Sequence, residues 1–197
     1  MFARELGMAM HIPVVAVLGN HDYELSKEGE IVEILREVGV MVLDGDSCVI
    51  RGVGFAGVKG FGGGFGRRAL QAWGEPAIKR FVHEGVEEAL KLESALAALR
   101  TERRVVLLHY SPIPATVQGE PLEVHPFLGS SRLEEPLNRY RVTAAFHGHA
   151  HRGAPEGATA TGVPVYNVAM PVLERAFPDR LAYRLLELAA AKEAPRV

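Results

Sequence analysis

Three short segments carry the residues of this chain that could do chemistry. They are Gly19-Asn20-His21-Asp22, the isolated His109, and Gly148-His149-Ala150-His151, and each follows a short apolar stretch. Such a stretch predicts a buried strand, so each segment is expected to be a loop at a strand end, where α/β proteins bind their ligands. Four imidazoles and one amide brought together there are costly to bury, and a bound metal ion is the simplest compensation.

Length and composition set the outer limits. A chain of 197 residues with 48% hydrophobic content can bury one sizeable core, so we expect a single domain over residues 1–197. The formal net charge of -2 gives no electrostatic reason to expect nucleic acid or an anionic membrane as a partner. No apolar run reaches the roughly 20 residues that span a bilayer, and no signal-peptide pattern opens the chain. With Cys48 the only cysteine, we expect a soluble cytoplasmic protein without an internal disulfide.

The elements that would position these segments alternate between strands and helices, which predicts an α/β fold. The run at 14–18 is apolar on both faces, so it is expected inside a mostly parallel sheet and not at an edge. Helices are expected over 27–38, capped by Ser26 and stopped by Gly39, and over 77–99, opened by Pro76. Further elements are predicted as a helical tail at 2–9, strands at 40–43, 104–108, 142–146 and 163–168, a hairpin at 48–58 hinged at Gly52, and a short helix near 132–138.

A glycine-rich segment occupies residues 59–66, Lys-Gly-Phe-Gly-Gly-Gly-Phe-Gly. It matches neither the dinucleotide-binding fingerprint nor the P-loop, because the required glycines and lysine do not fall at the right spacing. Two interpretations stay open. The segment is either a flexible surface loop or a lid that faces the substrate, with Arg67 or Arg68 near a phosphate.

Taken together, the three histidine segments resemble the last three motif blocks of the calcineurin-like metallophosphoesterases, in the same order. Gly-Asn-His-Asp comes first, an isolated histidine after an apolar strand second, and Gly-His-Ala-His third. The flanking stretches 107–112 and 165–169 also resemble bacterial members. Any one block occurs by chance, whereas three in order, each after a predicted strand, are specific, and the resemblance covers nearly the whole chain.

The resemblance implies a four-layer αββα sandwich, N-terminally incomplete in this chain, that hydrolyses phosphoesters with two divalent transition metals. Manganese, iron, zinc or nickel suits neutral imidazoles, and an asparagine carbonyl adds a harder oxygen ligand. By resemblance Asn20, His109 and His149 would hold one metal and His151 the other. The 148–151 loop must curl for both of its imidazoles to approach the metals, and Gly148 is expected to provide the turn.

Two further residues receive catalytic roles from the same resemblance. His21 would be the general acid that protonates the leaving oxygen, and Asp22 would tune its protonation and orientation. The alternatives are a phosphate-binding imidazolium for His21 and a plain turn or cap residue for Asp22. The other histidines are expected to be surface or structural residues: His11, His83, His125 and His147.

Two motif blocks of the resembling family are not found upstream of Gly19. They are Asp-x-His and Gly-Asp-x-x-Asp/Asn, which would supply one metal's ligands and the bridging carboxylate, on a leading βαβ unit. Three hypotheses follow: the activity belongs to a longer parent chain, the chain is an inactive metal-binding remnant or regulatory module, or another chain supplies the missing strands. The substrate is expected to be a small phosphoester. The strands that would flank residues 14–18 belong to the unit that is not found, so this strand is expected to expose an edge, which predicts a homo-oligomer.

Overall fold

The computed structural model describes residues 12–188, which form two β-sheets with helices packed against them. The predicted α/β fold is therefore confirmed as a mixed architecture with a central multi-stranded sheet. The helical tail expected at 2–9 and His11 lie outside the described residues.

The smaller sheet carries the first candidate segment. Strand β1 (Val14–Ala16) pairs in parallel with β2 (Val40–Val42), and helix α1 (Glu28–Glu37) packs on this pair through its apolar face. The helix ends as expected before Gly39, whose φ of 86° suits glycine. The expected Ser26 cap is wrong, because the N-cap residue is Lys27 and makes no side-chain bond to the helix.

Strand β1 differs from its prediction in one respect. Among the described residues it pairs only with β2, and its three residues are half-buried. The apolar pattern of 14–18 predicted neighbours on both sides, so the expectation that this strand is not an edge is wrong for residues 12–188.

The larger sheet holds six strands in the order β3-β4-β5-β6-β8-β7. Its first two strands form the predicted antiparallel hairpin, with Arg51 and Gly52 both at positive φ in the turn. The short edge strand β7 was not expected. The strands are β3 (Asp46–Ile50), β4 (Val53–Val58), β5 (Arg103–Leu108), β6 (Ala144–His147), β7 (Glu156–Ala158) and β8 (Pro164–Asn167).

The two sheets approach each other closely at Gly57 of β4. A Cβ atom there would lie 2.7 Å from Cγ1 of Val17 and 3.0 Å from Cβ of Leu43, so a side chain would push the sheets apart. This contact brings the end of β1 next to the end of β4 and thus close to β5.

The principal helix, α2 (Pro76–Ala98), packs on β3 and β4 and confirms the prediction from Pro76. Its Leu92 and Leu96 are fully buried, whereas Leu90 is 56% exposed. Shorter helices follow at α3 (His125–Leu128), α4 (Glu134–Arg139) and α5 (Met170–Ala176). In residues 12–188 no helix has the length and apolar character needed to cross a membrane.

Candidate metal centre

Three side chains from three strand ends meet at one point. Asn20 follows β1, His109 follows β5 and His149 follows β6, and β5 and β6 are parallel neighbours. The Nε2 atom of His109 lies 2.6 Å from Oδ1 of Asn20 and 3.1 Å from Nδ1 of His149. The structure thus brings together the three residues that the resemblance assigns to one metal.

The protonation chemistry of this cluster suits a cation. Burial, and then the nearby His149, lower the pKa of His109 to about 3, and burial lowers the pKa of His149. Both rings are therefore neutral near pH 7 and present lone pairs. The Nε2–H of His149 donates to the Phe127 carbonyl at 3.1 Å, which leaves its Nδ1 free to face His109.

The donor atoms fit a divalent transition metal. Two imidazole nitrogens and an amide oxygen suit manganese, iron, nickel or zinc. Ligand atoms about 2.1 Å from one ion lie about 3.0 to 3.4 Å from each other. The 3.1 Å between the His109 and His149 nitrogens lies in this range, whereas the 2.6 Å between Nε2 of His109 and Oδ1 of Asn20 is a hydrogen-bond distance that would lengthen around an ion. In the described residues no group of three or more His, Cys, Asp or Glu side chains comes together, so the cluster as described is two imidazoles and an amide.

The His149 backbone turns where the sequence did not predict it. Its φ is 65°, a conformation that costs a non-glycine residue about 1–3 kcal/mol, whereas the turn was expected at Gly148. Asn167 offsets this cost, because its fully buried amide donates to the carbonyls of Ala150 at 2.8 Å and Thr116 at 3.2 Å. Asn167 therefore positions the loop, a role that the sequence analysis missed.

His147 is structural, as the sequence analysis favoured. Its ring is fully buried and lies 2.7 Å from the hydroxyl oxygen of Thr116 and 2.8 Å from the carbonyl oxygen of Gly148. Burial lowers its pKa to about 4. The neutral ring thus ties β6 to the 114–117 turn beneath the loop that carries His149.

Gly19 allows the His109 ring to reach the centre. A Cβ atom on Gly19 would lie 2.9 Å from both Cε1 and Nδ1 of that ring, well inside normal contact distance. The Gly-Asn-His-Asp segment forms a tight turn of 3-10 helix over Asn20–Tyr23. The turn therefore places Gly19 against the His109 ring and Asn20 beside that ring.

Of the two residues assigned catalytic roles, Asp22 takes the alternative role of a cap residue, and His21 contacts a different carboxylate from the one expected. The Asp22 carboxylate accepts a hydrogen bond from the Gly19 backbone N–H at 2.7 Å, which is the role of a cap. His21 is exposed, and its Nδ1 lies 2.5 Å from Oε1 of Glu24. Glu24, which sequence reasoning missed, is thus the carboxylate that contacts His21, and its spacing of three residues within a helical turn was the available signal.

The remaining candidate ligand is His151. The His151 side chain is exposed, and its backbone carbonyl accepts a bond from Arg175 at 3.3 Å. It lies close enough for its charge to contribute to the lowered pKa of His149. His83 is exposed, and the His125 ring bonds the Glu120 carbonyl at 3.2 Å, as expected for surface or structural residues.

The glycine-rich segment is neither a flexible surface loop nor an arginine lid. Residues 59–64 are buried or nearly so, and Gly63 N–H donates to the Pro126 carbonyl at 2.6 Å. Phe61 and Gly62 face the candidate centre as part of the lining of one pocket. Arg67 and Arg68 are exposed and line a different groove.

Comparisons with known proteins identify a family and similar folds. The family model described as calcineurin-like phosphoesterase matches residues 1–153. One crystal structure is 19% identical, with a TM-score of 0.53, and the match covers 85% of this chain and 61% of that one. The structure of phosphopantetheinyl hydrolase from Mycobacterium tuberculosis is 14% identical, with a TM-score of 0.62, covering 86% of this chain and 74% of that one.

The chain therefore belongs to the calcineurin-like phosphoesterase family, because the family match spans most of its length. That family generally uses divalent metals. The structural likenesses show the fold alone, and the chain spans about 61% of the length of the first of these two structures. No curated protein matches the sequence significantly.

Proposed function

We propose that this chain provides the Asn20–His109–His149 site of a metal-dependent phosphoester hydrolase. The observation that supports the proposal is the convergence of these three side chains from three strand ends, with distances of 2.6 and 3.1 Å between their polar atoms. They would hold one divalent ion and His151 would contribute to a second. When bound, the two ions would neutralise the charge of the phosphate and lower the pKa of the attacking water.

His21 would supply the proton that the leaving oxygen needs. Its Nδ1 faces the Glu24 carboxylate, so Nε2 is the nitrogen left to carry a transferable proton. The ring is 77% exposed and follows Asn20 directly in the chain, so a phosphoester bound at the proposed centre could approach it. Asp22 would act indirectly, by fixing the turn that presents Asn20 and His21.

We propose the catalytic activity for a protein in which further residues, from an upstream part of a longer chain or from another chain, supply the carboxylate ligands. The alternative, an inactive metal-binding remnant or regulatory module, is favoured by one observation: the described cluster contains no carboxylate. The two functions differ in a measurable way, because a remnant binds metal without turnover.

The test compares this 197-residue chain with a form extended upstream in frame, on 4-nitrophenyl phosphate and its diester. We expect the longer form to need manganese, iron, nickel or zinc and to lose activity with chelator. His21→Ala should lower its turnover by about 10² to 10⁴ with unchanged metal content, while His83→Ala, a matched exposed histidine, leaves turnover unchanged. Metal binding without turnover in the longer form would support the remnant. Loss of metal in His21→Ala would make His21 a ligand.

A further inference from the structure

An aromatic pocket opens beside the candidate metal centre. The Lys59 ammonium packs against two of its rings, 4.8 Å from the Phe61 centroid and 5.6 Å from the Tyr110 centroid, without lining the pocket itself. The volume of the pocket is about 230 Å³, and no Lys, Arg, Asp or Glu side chain of the described residues lines it. The lining residues are four aromatic residues, one glycine and two residues of the candidate metal centre. In chain order they are Asn20, Phe61, Gly62, Phe81, Tyr110, Phe127 and His149.

The aromatic rings form a continuous row from solvent to the centre. Phe127, which is 57% exposed, stands at the outer end, and its ring centroid lies 5.8 Å from that of Phe81. Phe81 contacts Phe61 at 4.9 Å, and Phe61 contacts Tyr110 at 5.7 Å. Tyr110 contacts His149 at 4.4 Å. An aromatic ligand would contact ring surfaces along the whole length of this pocket.

The glycine-rich segment gives the pocket its shape. A Cβ atom on Gly62 would lie 2.6 Å from the Pro126 carbonyl oxygen and 3.1 Å from Cζ of Phe81, so a side chain there would displace the pocket wall. The fully buried Glu88 carboxylate holds the segment by accepting from Gly60 N–H at 2.7 Å. Because these contacts are internal, the pocket is formed before any ligand binds.

We infer that this pocket receives a planar aromatic leaving group of the phosphoester substrate, an inference that rests on the proposed function. Asn20 and His149 belong to both the pocket and the centre, so a ring attached to a phosphate at the centre reaches the pocket. A cavity of about 150 Å³ holds benzene, so the pocket accommodates one ring with small substituents. A charged leaving group would find no partner among these lining residues.

The pocket can be tested without metal, using 4-fluorobenzyl alcohol observed by fluorine NMR. We expect wild-type protein to bind this probe and Phe127→Ala to weaken binding at least fivefold. Phe127→Ala keeps the backbone carbonyl that bonds His149. Trp73→Ala, which removes a similarly exposed aromatic side chain from the separate groove near Arg67, should change nothing. Absent binding in the wild type, or an equal loss in Trp73→Ala, would overturn the inference.

Two phosphonates separate this inference from the proposed function. With zinc present, phenylphosphonate should bind at least tenfold more tightly than methylphosphonate, and Phe127→Ala should reduce that ratio. Equal affinities would overturn the leaving-group role and leave the phosphoester hydrolase intact. If neither phosphonate binds the form extended upstream while 4-fluorobenzyl alcohol does, the phosphoesterase proposal fails and, with it, the leaving-group role.

Discussion

Replacing Gly19 with alanine should weaken metal binding without disturbing the rest of the fold. The backbone of Gly19 has a φ of -104°, which alanine adopts freely, so the effect is steric. The new Cβ would lie 2.9 Å from two atoms of the His109 ring, where normal contacts are about 3.5–4.0 Å. The ring must therefore move by about half an ångström or more, while a metal site tolerates about 0.2 Å.

The expected cost can be stated in two measurable quantities. Overpacking of this kind lowers the free energy of unfolding by about 1–3 kcal/mol. The displaced ligand should reduce zinc affinity at least about tenfold, or about 1.4 kcal/mol. Urea denaturation and isothermal titration with zinc measure the two effects separately.

Gly29→Ala is the matched control for this substitution. Gly29 lies in helix α1, and a Cβ atom there would meet nothing within 4 Å, so alanine should stabilise the helix by about 0.5–1 kcal/mol and leave zinc affinity unchanged. Wild-type zinc affinity in Gly19→Ala would refute the contact between this turn and His109 as a requirement of the centre.

Three other predictions follow from the contacts described. Asn167→Ala should lower the free energy of unfolding by about 1–3 kcal/mol in urea denaturation. It removes the amide that donates to the Thr116 carbonyl, one of two donors to the Ala150 carbonyl, and the acceptor of the Ala169 N–H. Asn138→Ala, at an exposed hydrogen bond, should cost less, and equal costs would contradict the role of Asn167. Burial, and then the negative charges of Asp44 and Glu88, raise the pKa of Tyr23 to about 12. The Tyr23 hydroxyl of the unfolded chain ionises once the pH passes about 10, so the free energy of unfolding falls between pH 10 and 12. Absorbance difference titration against Tyr23→Phe should show the ionisation of folded Tyr23 near pH 12. A pKa near 10 in the folded protein would refute the environment described. Within residues 12–188, β1 has a neighbour on one side only, and such an edge should make the protein self-associate. Light scattering over a concentration series measures this, and a monomer at all concentrations would contradict it.

Much of the site was predictable because strand ends follow from apolar runs. The runs before Asn20, His109 and His149 predicted that each of these residues follows the end of a strand, and the structure brings them within hydrogen-bonding distance. The partner of His21 was not predicted, because the Asp22 carboxylate is engaged by the Gly19 N–H, which only the geometry of the turn reveals.

The turn at His149 and the burial of residues 59–64 could not be predicted from the sequence either. Both depend on tertiary contacts: the Asn167 amide holds the first, and Glu88 and the Pro126 carbonyl hold the second. Glycine-rich composition alone is equally typical of a mobile loop and of close backbone packing. The helix at α2 and the hairpin at Gly52 were predictable because Pro76 and Gly52 act locally.

The most direct test of the metal centre is the metal content of a double variant. After dialysis against zinc, elemental analysis should find at least one ion per wild-type chain and a clear loss in His109→Ala, His149→Ala. The control double variant His83→Ala, His125→Ala removes two imidazoles outside the cluster and should keep its metal, with circular dichroism confirming that all three proteins are folded. Equal metal content in the three folded proteins would contradict the assignment of Asn20, His109 and His149 as the metal site.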